Sequence, residues 1–357
     1  ISGKDMEPVC INGMTNSELI VSLPDFHPWT PEDPFLYLVS LKSGVDRVSS
    51  YFAMRKCDIQ TAPDGTQRFF LNNKPYFQAG VLDQGYWPEG LLTAPAPESY
   101  ADDILAMKRL GFNTLRKHIK VEPEEFYYQC DRLGMIVWQD MVNNSSYSYF
   151  RDTVLPTIGI QKWNDRRLHL DERSRNTFRQ GAADAVNQLK NHPCICYWTI
   201  FNEGWGQFDA KNAVRLLRRP DPTRLIDHAS GWHDQGVSDV KSLHVYFKPY
   251  RFKPDKKGRA VVLSEFGGYN LPVAGHTWNA KNFGYKGYQT PEELGEAVKT
   301  LYETQIVPAC KSGLAADVYT QLSDVEDEVN GFVTYDRRVE KLPEALMRAI
   351  ARELKGN

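Results

Sequence analysis

From about residue 67 onward the chain alternates short apolar runs with segments of helical period, and this pattern narrows its possible folds more than any other feature. The runs fall at 76–82, 113–116, 136–139, 195–201, 224–228, 242–245, 260–264 and 316–321. Amphipathic stretches lie between them, clearest at 100–110, 123–133, 171–190, 208–217 and 291–310. Strand–helix alternation of this kind builds a parallel sheet. Eight such units over roughly 290 residues fit a closed (β/α)8 barrel, usually about 250 residues before insertions. A doubly wound open sheet is the competing fold, but neither Gly-x-Gly-x-x-Gly nor Gly-x-x-x-x-Gly-Lys follows the first run.

Residues 1–60 read differently. Alternating runs at 18–23, 35–41 and 49–59 are separated by Pro- and Gly-rich clusters, as in a β-sandwich. Three strands are visible where a complete sandwich has about seven, so further strands are expected to precede Ile1. The expected architecture is α/β: a partial immunoglobulin-like β-sandwich over 1–60 and a (β/α)8 TIM barrel over 61–357.

Bulk properties exclude several functions. Lys+Arg 43 against Asp+Glu 45 gives a net charge of -2, without the basic footprint that a nucleic-acid partner needs. No apolar run approaches the roughly 18 residues that a membrane span requires, so a soluble protein is expected. The six cysteines lack the paired spacing of a zinc site or disulfide framework and read as buried thiols. Compartment and oligomeric state are not legible.

In a barrel, chemistry sits where the strands end at their C-terminal side. The fourth run closes in Asn202-Glu203-Gly204-Trp205-Gly206 and the seventh in Glu265-Phe266-Gly267-Gly268. Two strands therefore deliver one carboxylate each to the same rim, the minimum equipment for glycoside hydrolysis. A single Glu at a strand end is as readily solvated or salt-bridged; two in this setting favour chemistry. The adjacent glycines leave room for a substrate.

Longer motifs carry a family resemblance. Trp29-Thr30-Pro31-Glu32-Asp33-Pro34-Phe35-Leu36-Tyr37 opens the series, followed by Asp103 to Lys108, Gly111 to Arg116 and Cys130 to Met135. His192-Pro193, Phe201-Asn202-Glu203 and Ser264-Glu265-Phe266-Gly267 complete it. In order and spacing, the chain resembles glycoside hydrolase family 2, the family of β-galactosidases, β-glucuronidases and β-mannosidases. The resemblance implies a retaining β-glycosidase with Glu203 as acid/base and Glu265 as nucleophile. It also implies that Asn202 binds the sugar 2-hydroxyl, while Tyr246, closing His244-Val245-Tyr246, orients the nucleophile. Arg116 would do the same from the second strand and favour the charged form of Glu265. The charge on Glu265 would in turn help keep Glu203 protonated.

Other rim residues could contact a sugar: Asp83 and Trp87 after the first run, His118 and Lys120 after the second, Asp140 after the third, and Trp205, His244 and Tyr319. Trp232, His276 and Trp278 could form the leaving-group side. Each has a bland alternative, a satisfied structural residue.

The chain also departs from the family pattern. The eighth run ends in Tyr319-Thr320-Gln321, where the better-known relatives carry tryptophan. The acidic run 324–328 follows, without the Asn-x-Lys pair that grips a uronate in β-glucuronidases. An acidic rim repels a carboxylate substrate, so a neutral sugar is expected, galactose first. The magnesium ligands of some relatives are not recognisable at 141–146, so no catalytic metal and no cofactor is expected; the acidic run reads as a solvated surface, with a cation site in that loop as the alternative. Glucuronide, mannoside or pentoside hydrolysis is the rival enzyme reading. A catalytically silent carbohydrate-binding barrel is the rival from another class.

Overall fold

The structure is a computed structural model that describes residues 1–4, 6–143, 148–150, 154–157, 160 and 164–356. Its core is one eight-stranded parallel sheet: Gln78–Asp83, Thr114–Lys117, Ile136–Asp140, Ile195–Thr199, Leu225–Asp227, Val240–Val245, Ala260–Gly267 and Leu314–Thr320. All eight expected strands are present. In hydrogen-bonded order the sheet runs fifth, fourth, third, second, first, eighth, seventh, sixth. The remaining gap is bridged by Asp239, whose N–H donates to the Ile226 carbonyl at 3.1 Å and whose carboxylate accepts from the Ile226 N–H at 2.7 Å. The sheet is thereby a nearly closed TIM barrel.

Helices Pro97–Arg109, Glu124–Leu133, Glu172–Leu189 and Ala210–Arg218 lie where the amphipathic stretches placed them. Local chemistry sets their ends. Asp171 accepts from the Ser174 N–H to start one helix, and Gly134 closes another in the left-handed conformation. The stretch expected as one helix from 291 to 310 is instead α-helix Pro291–Leu301, a π turn Tyr302–Ile306 and α-helix Val307–Ser312. Pro308 cannot donate to the carbonyl four residues back, and a π turn accommodates that missing bond. Helix Glu344–Lys355 closes the chain. Among the described residues no helix is long and apolar enough to cross a membrane.

Two small antiparallel sheets precede the barrel: the hairpin Tyr37–Ser43 with Asp46–Phe52, and a sheet of Cys57–Thr61, Gln67–Leu71 and Lys74–Pro75. The run expected at 49–59 is therefore broken at 53–56, where the chain passes from one sheet to the next, and 18–23 forms no strand. Phe69 packs edge-on against Trp138 and Tyr197, which stack at 4.2 Å inside the barrel. This apolar plug fills the end of the barrel where its strands begin. All six cysteines are free thiols, and all but Cys10 are buried.

Candidate active site

The polar residues gather at the opposite end, where the strands finish. A cleft of about 810 Å³ opens there, lined among others by His118, Asn202, Glu203, Trp205, Tyr246, Glu265, Tyr285, Thr320 and Glu328. Strand pleat explains much of this selection. Ser242 and His244 alternate on the sixth strand and Tyr246 follows its last residue in the same phase, so all three side chains face inward. On the seventh strand adjacent residues would face opposite sides, but the pairing skips from Leu243–Leu263 to His244–Glu265. The bulge falls at Ser264 and lets both Ser264 and Glu265 point into the barrel.

Arg116 is the hub. Fully buried, its guanidinium donates to Glu265 Oε1 at 2.9 Å, to Asn202 Oδ1 at 2.7 Å and to both oxygens of Asp140 at 3.1 and 2.9 Å. Against the cost of burial, the charge of Arg116 and the bond from His118 hold the Asp140 carboxyl below its ordinary range. Asp140 thus anchors Arg116, and Arg116 aims Glu265. The other oxygen of Glu265 accepts from the Tyr246 hydroxyl at 2.5 Å. Burial and the Glu265 charge drive Tyr246 far above its ordinary pKa, which keeps that hydroxyl a donor.

Glu203 stands across the pocket, with a side chain 15% exposed. Its φ of 53° is left-handed, a conformation that costs a residue with a Cβ and clusters at functional sites. The Glu203 N–H is held by the Ser230 carbonyl at 2.9 Å, and that of Asn202 by Asn143 Oδ1 at 2.9 Å. Glu203 Oε1 meets His244 Nδ1 at 2.8 Å. Burial pushes the Glu203 carboxyl up to about 7, against the opposing charges of His118 and Arg116. The charge on Glu265 was expected to help hold that proton; burial is the cause that dominates. Oxygens of Glu203 and Glu265 lie within 4.8 Å of one another, with His244 Nδ1 completing the cluster. Among the described residues this is also the set of three side chains that could converge on a metal ion.

Several expected rim residues are placed elsewhere. Asp83 turns to Lys117 Nζ at 2.6 Å and to the Gly85 N–H, away from the cleft. Tyr319 packs outside the sheet against Phe266, Tyr302 and Phe332, and Thr320 takes the cleft wall instead. Lys120 lines the cleft, but its ammonium binds Glu122 at 2.8 Å and the Gly85 carbonyl at 2.5 Å. Trp87 is buried beneath the Arg337 guanidinium. Trp232 lies 6.3 Å from the His244 ring, His276 pairs with Asp336, and Trp278 packs on Tyr335. Asn144, Ser145 and Ser146 lie outside the described residues.

The structure also adds residues that the sequence did not single out. The acidic run is no solvated surface: Asp324 is buried on Lys341 Nζ at 2.6 Å, and Glu328 lines the cleft. Glu328 Oε2 accepts from Gln321 at 2.7 Å and from Gln84 at 3.2 Å. Burial raises its carboxyl, offset by His118 and reinforced by the Glu265 charge. Tyr285 stacks on Tyr246 at 3.9 Å and extends the cleft wall toward exposed Phe247 and Phe283.

A barrel with paired carboxylates at its C-terminal rim is one that known proteins can be measured against. Residues 66–341 match the sequence model described as the TIM barrel domain of the glycosyl hydrolases family 2. The chain belongs to glycoside hydrolase family 2. Its relatives in the family include a β-glucuronidase of Bacteroides fragilis, 28% identical over 209 residues, which cover 56% of this chain and 27% of the relative. A β-galactosidase of Pectobacterium atrosepticum is 27% identical over 229 residues, 62% of this chain and 20% of that protein. The family 2 chain thus aligns with about a quarter of the length of these relatives. Among solved structures, a β-galacturonidase of Eisenbergiella tayi superposes with a TM-score of 0.66 at 17% identity, covering 94% of this chain and 61% of that one. A β-D-glucuronidase of Dictyoglomus thermophilum gives 0.68 at 16%, covering 93% and 59%.

Proposed function

We propose that this family 2 chain is the catalytic barrel of a retaining exo-β-glycosidase acting on a neutral sugar, with a β-galactoside as the first candidate. The observation that carries the reading is the approach of Glu203 and Glu265 oxygens to within 4.8 Å. Retaining enzymes hold their carboxyl groups about 5–5.5 Å apart, whereas inverting enzymes leave roughly 6.5–9.5 Å for a water.

In this reading Glu265 is the nucleophile. Arg116 and Tyr246 bond one oxygen each, which aims the carboxylate at the anomeric carbon. Glu203 is the acid. With its carboxyl pushed up to about 7, it carries a proton below neutrality and passes it to the leaving oxygen as the glycosidic bond breaks. Attachment of the sugar consumes the charge on Glu265. Glu203, now ionised, takes a proton from water as that water attacks the anomeric carbon and releases Glu265. Asn202, fixed by Arg116 and Asn143, is placed to bind the sugar 2-hydroxyl.

The case for a neutral sugar rests on Glu328. It adds a third carboxyl to the cleft, while Lys120 is engaged by Glu122 and Arg116 by Asp140, Asn202 and Glu265. A sugar carboxylate would meet acidic groups with no uncommitted guanidinium or ammonium among these residues. Hydroxyls, in contrast, can donate to Glu328.

The test is hydrolysis of a panel of chromogenic β-glycosides, with wild-type protein and the Glu265→Gln and Glu203→Ala variants. We expect turnover of a galactoside above a glucuronide, no covalent glycosyl-enzyme by mass spectrometry in Glu265→Gln, and retained glycosylation of Glu203→Ala by substrates whose leaving group needs no proton. Preferred turnover of the glucuronide would overturn the sugar assignment. Equal loss on activated and unactivated leaving groups would overturn the role of Glu203.

A further inference from the structure

Behind Glu203 the barrel holds a line of buried hydroxyls that no step above uses. His244 Nε2 meets Ser230 Oγ at 3.0 Å, Ser230 Oγ donates to Ser264 Oγ at 2.9 Å, and Ser264 Oγ lies 2.5 Å from Ser242 Oγ and donates to the Leu243 carbonyl at 3.3 Å. Ser230, Ser242 and Ser264 are all buried. Ser230 follows the fifth strand, Ser242 and Ser264 lie within the sixth and seventh, and the bulge at Ser264 is what turns its side chain into the group.

We infer that Ser230 and Ser264 are positioning residues that, through His244, keep the acid/base proton on Glu203 in the resting enzyme. The inference rests on the assignment of Glu203 given above. Its logic is a count of protons along the line. A serine hydroxyl has one proton to donate. The Leu243 carbonyl can only accept, so it draws donation from Ser264. The proton of Ser230 is spent on Ser264, which leaves Ser230 as acceptor toward His244, and Nε2 must carry the imidazole hydrogen. A neutral imidazole has a single N–H. Nδ1 is then a lone pair, 2.8 Å from Glu203 Oε1, kept so by the serine line against the pull of the Glu265 carboxylate at 3.5 Å. Two lone pairs repel, so the proton between them belongs to Glu203. A hydrogen bond donated by the neutral carboxylic acid favours that form over the carboxylate.

Two further observations support the arrangement. Burial pushes His244 down to about 4, which keeps the imidazole neutral near neutral pH. Gly231, with φ +85°, lies flat against the His244 ring; a Cβ there would come within 2.5 Å of it. The ring is therefore fixed in place as well as in tautomer. The charged and titratable groups around the pair are Arg116, His118, Asp140, Tyr246, Glu265 and Tyr285, with Asp227 beside Ser242. Arg116 and His118 favour ionisation of Glu203, and the serine line opposes them.

In turnover His244 keeps its Nε2 hydrogen throughout. The Glu203 proton leaves with the aglycone oxygen and is restored from water in the second displacement. Between the two steps the bare Nδ1 faces a carboxylate, which makes Glu203 the stronger base for that water.

Ser230→Ala tests the inference. Without the acceptor, His244 is free to carry its hydrogen on Nδ1 and donate to the carboxylate. We expect the basic limb of kcat/KM on an aryl β-galactoside to move down by about one pH unit, so that activity at pH 8 falls about tenfold further than at pH 5. Ser264→Ala should move it the same way, and Ser230→Thr, which restores a hydroxyl, should return it. A loss uniform across pH, or an unmoved limb, overturns the inference. Titration of the Glu203 carboxyl by ¹³C NMR, with Glu203→Gln for assignment, reads the same shift without turnover. If the wild type hydrolyses none of the panel yet Ser230→Ala lowers this titration, the glycosidase reading fails and the relay stands; an unchanged titration sinks the relay alone.

Discussion

At the scale of single residues, Glu265 has its two oxygens bound by groups from different strands, Arg116 from the second and Tyr246 after the sixth. The Tyr246 hydroxyl also lies 2.9 Å from Thr320 Oγ1, while its ring stacks on Tyr285. Tyr246→Phe keeps the stack and deletes only the donor. Loss of one preorganised hydrogen bond at the proposed nucleophile predicts a fall in kcat of roughly 10²-fold with a smaller change in KM, read by steady-state kinetics on an aryl β-galactoside. An unchanged kcat would remove Tyr246 from the machinery. Glu203, Glu265, Asn202 and Tyr246 each close an apolar run in the sequence, and all four line the cleft. Asp83 and Tyr319 were misplaced by one step of the pleat: Leu82 and Thr320, their neighbours, are the ones that face the cleft. Glu328 was hidden for another reason. A run rich in acidic residues reads as solvated, and only the fold shows Gln84 and Gln321 drawing one of its members inward.

At the scale of elements, the strands could be read closely because a doubly covered parallel strand is apolar on both faces and stands out against amphipathic helices. The small N-terminal sheets could not. The strands of the first hairpin are exposed on both faces and so carry no apolar signal, and the break at 53–56 follows from tertiary pairing, where the Trp29 N–H bonds the Met54 carbonyl at 2.8 Å. The eighth strand carries one element-level oddity. Asp317, wholly buried beside the π turn that bears Tyr302, has carboxyl oxygens without a side-chain partner among the described residues, and burial pushes it up to about 8. Its folded value lies above the ordinary 3.8. The folded chain therefore holds a proton that the unfolded chain releases, and stability falls as pH rises from about 4 to about 8, with a ceiling near 1.4 kcal/mol per unit. Asp317→Asn removes the titration. Its Tm should depend less on pH than that of the wild type between pH 5 and 8; parallel curves would show that Asp317 titrates alike in both states.

At the scale of the molecule, the residues before the barrel are fastened to the end opposite the cleft. Trp29 is fully buried, and its indole N–H donates to the Asp131 carbonyl at 2.8 Å. The Tyr51 hydroxyl donates to the Asp131 carboxylate, and the Arg55 guanidinium donates to the carbonyls of Pro193 and Ile195, where the fourth strand begins. Lys108 closes the seam on the carbonyls of Pro31, Leu133 and Gly134. With anchors of this kind the N-terminal segment contributes to the stability of the barrel. Truncating a buried Trp costs about 3–5 kcal/mol through lost burial and the cavity left behind, so Trp29→Ala should lower the urea midpoint of the barrel's unfolding by an amount equivalent to that. The change is made at the strands' beginning, whereas Glu203 and Glu265 sit at their ends. Well below the transition, kcat/KM should therefore stay within about twofold of the wild type. A midpoint that holds still, with only an early minor transition lost, would mean that the segment folds without supporting the barrel. A large fall in kcat/KM on folded protein would mean that strain at the plugged end reaches the carboxylates.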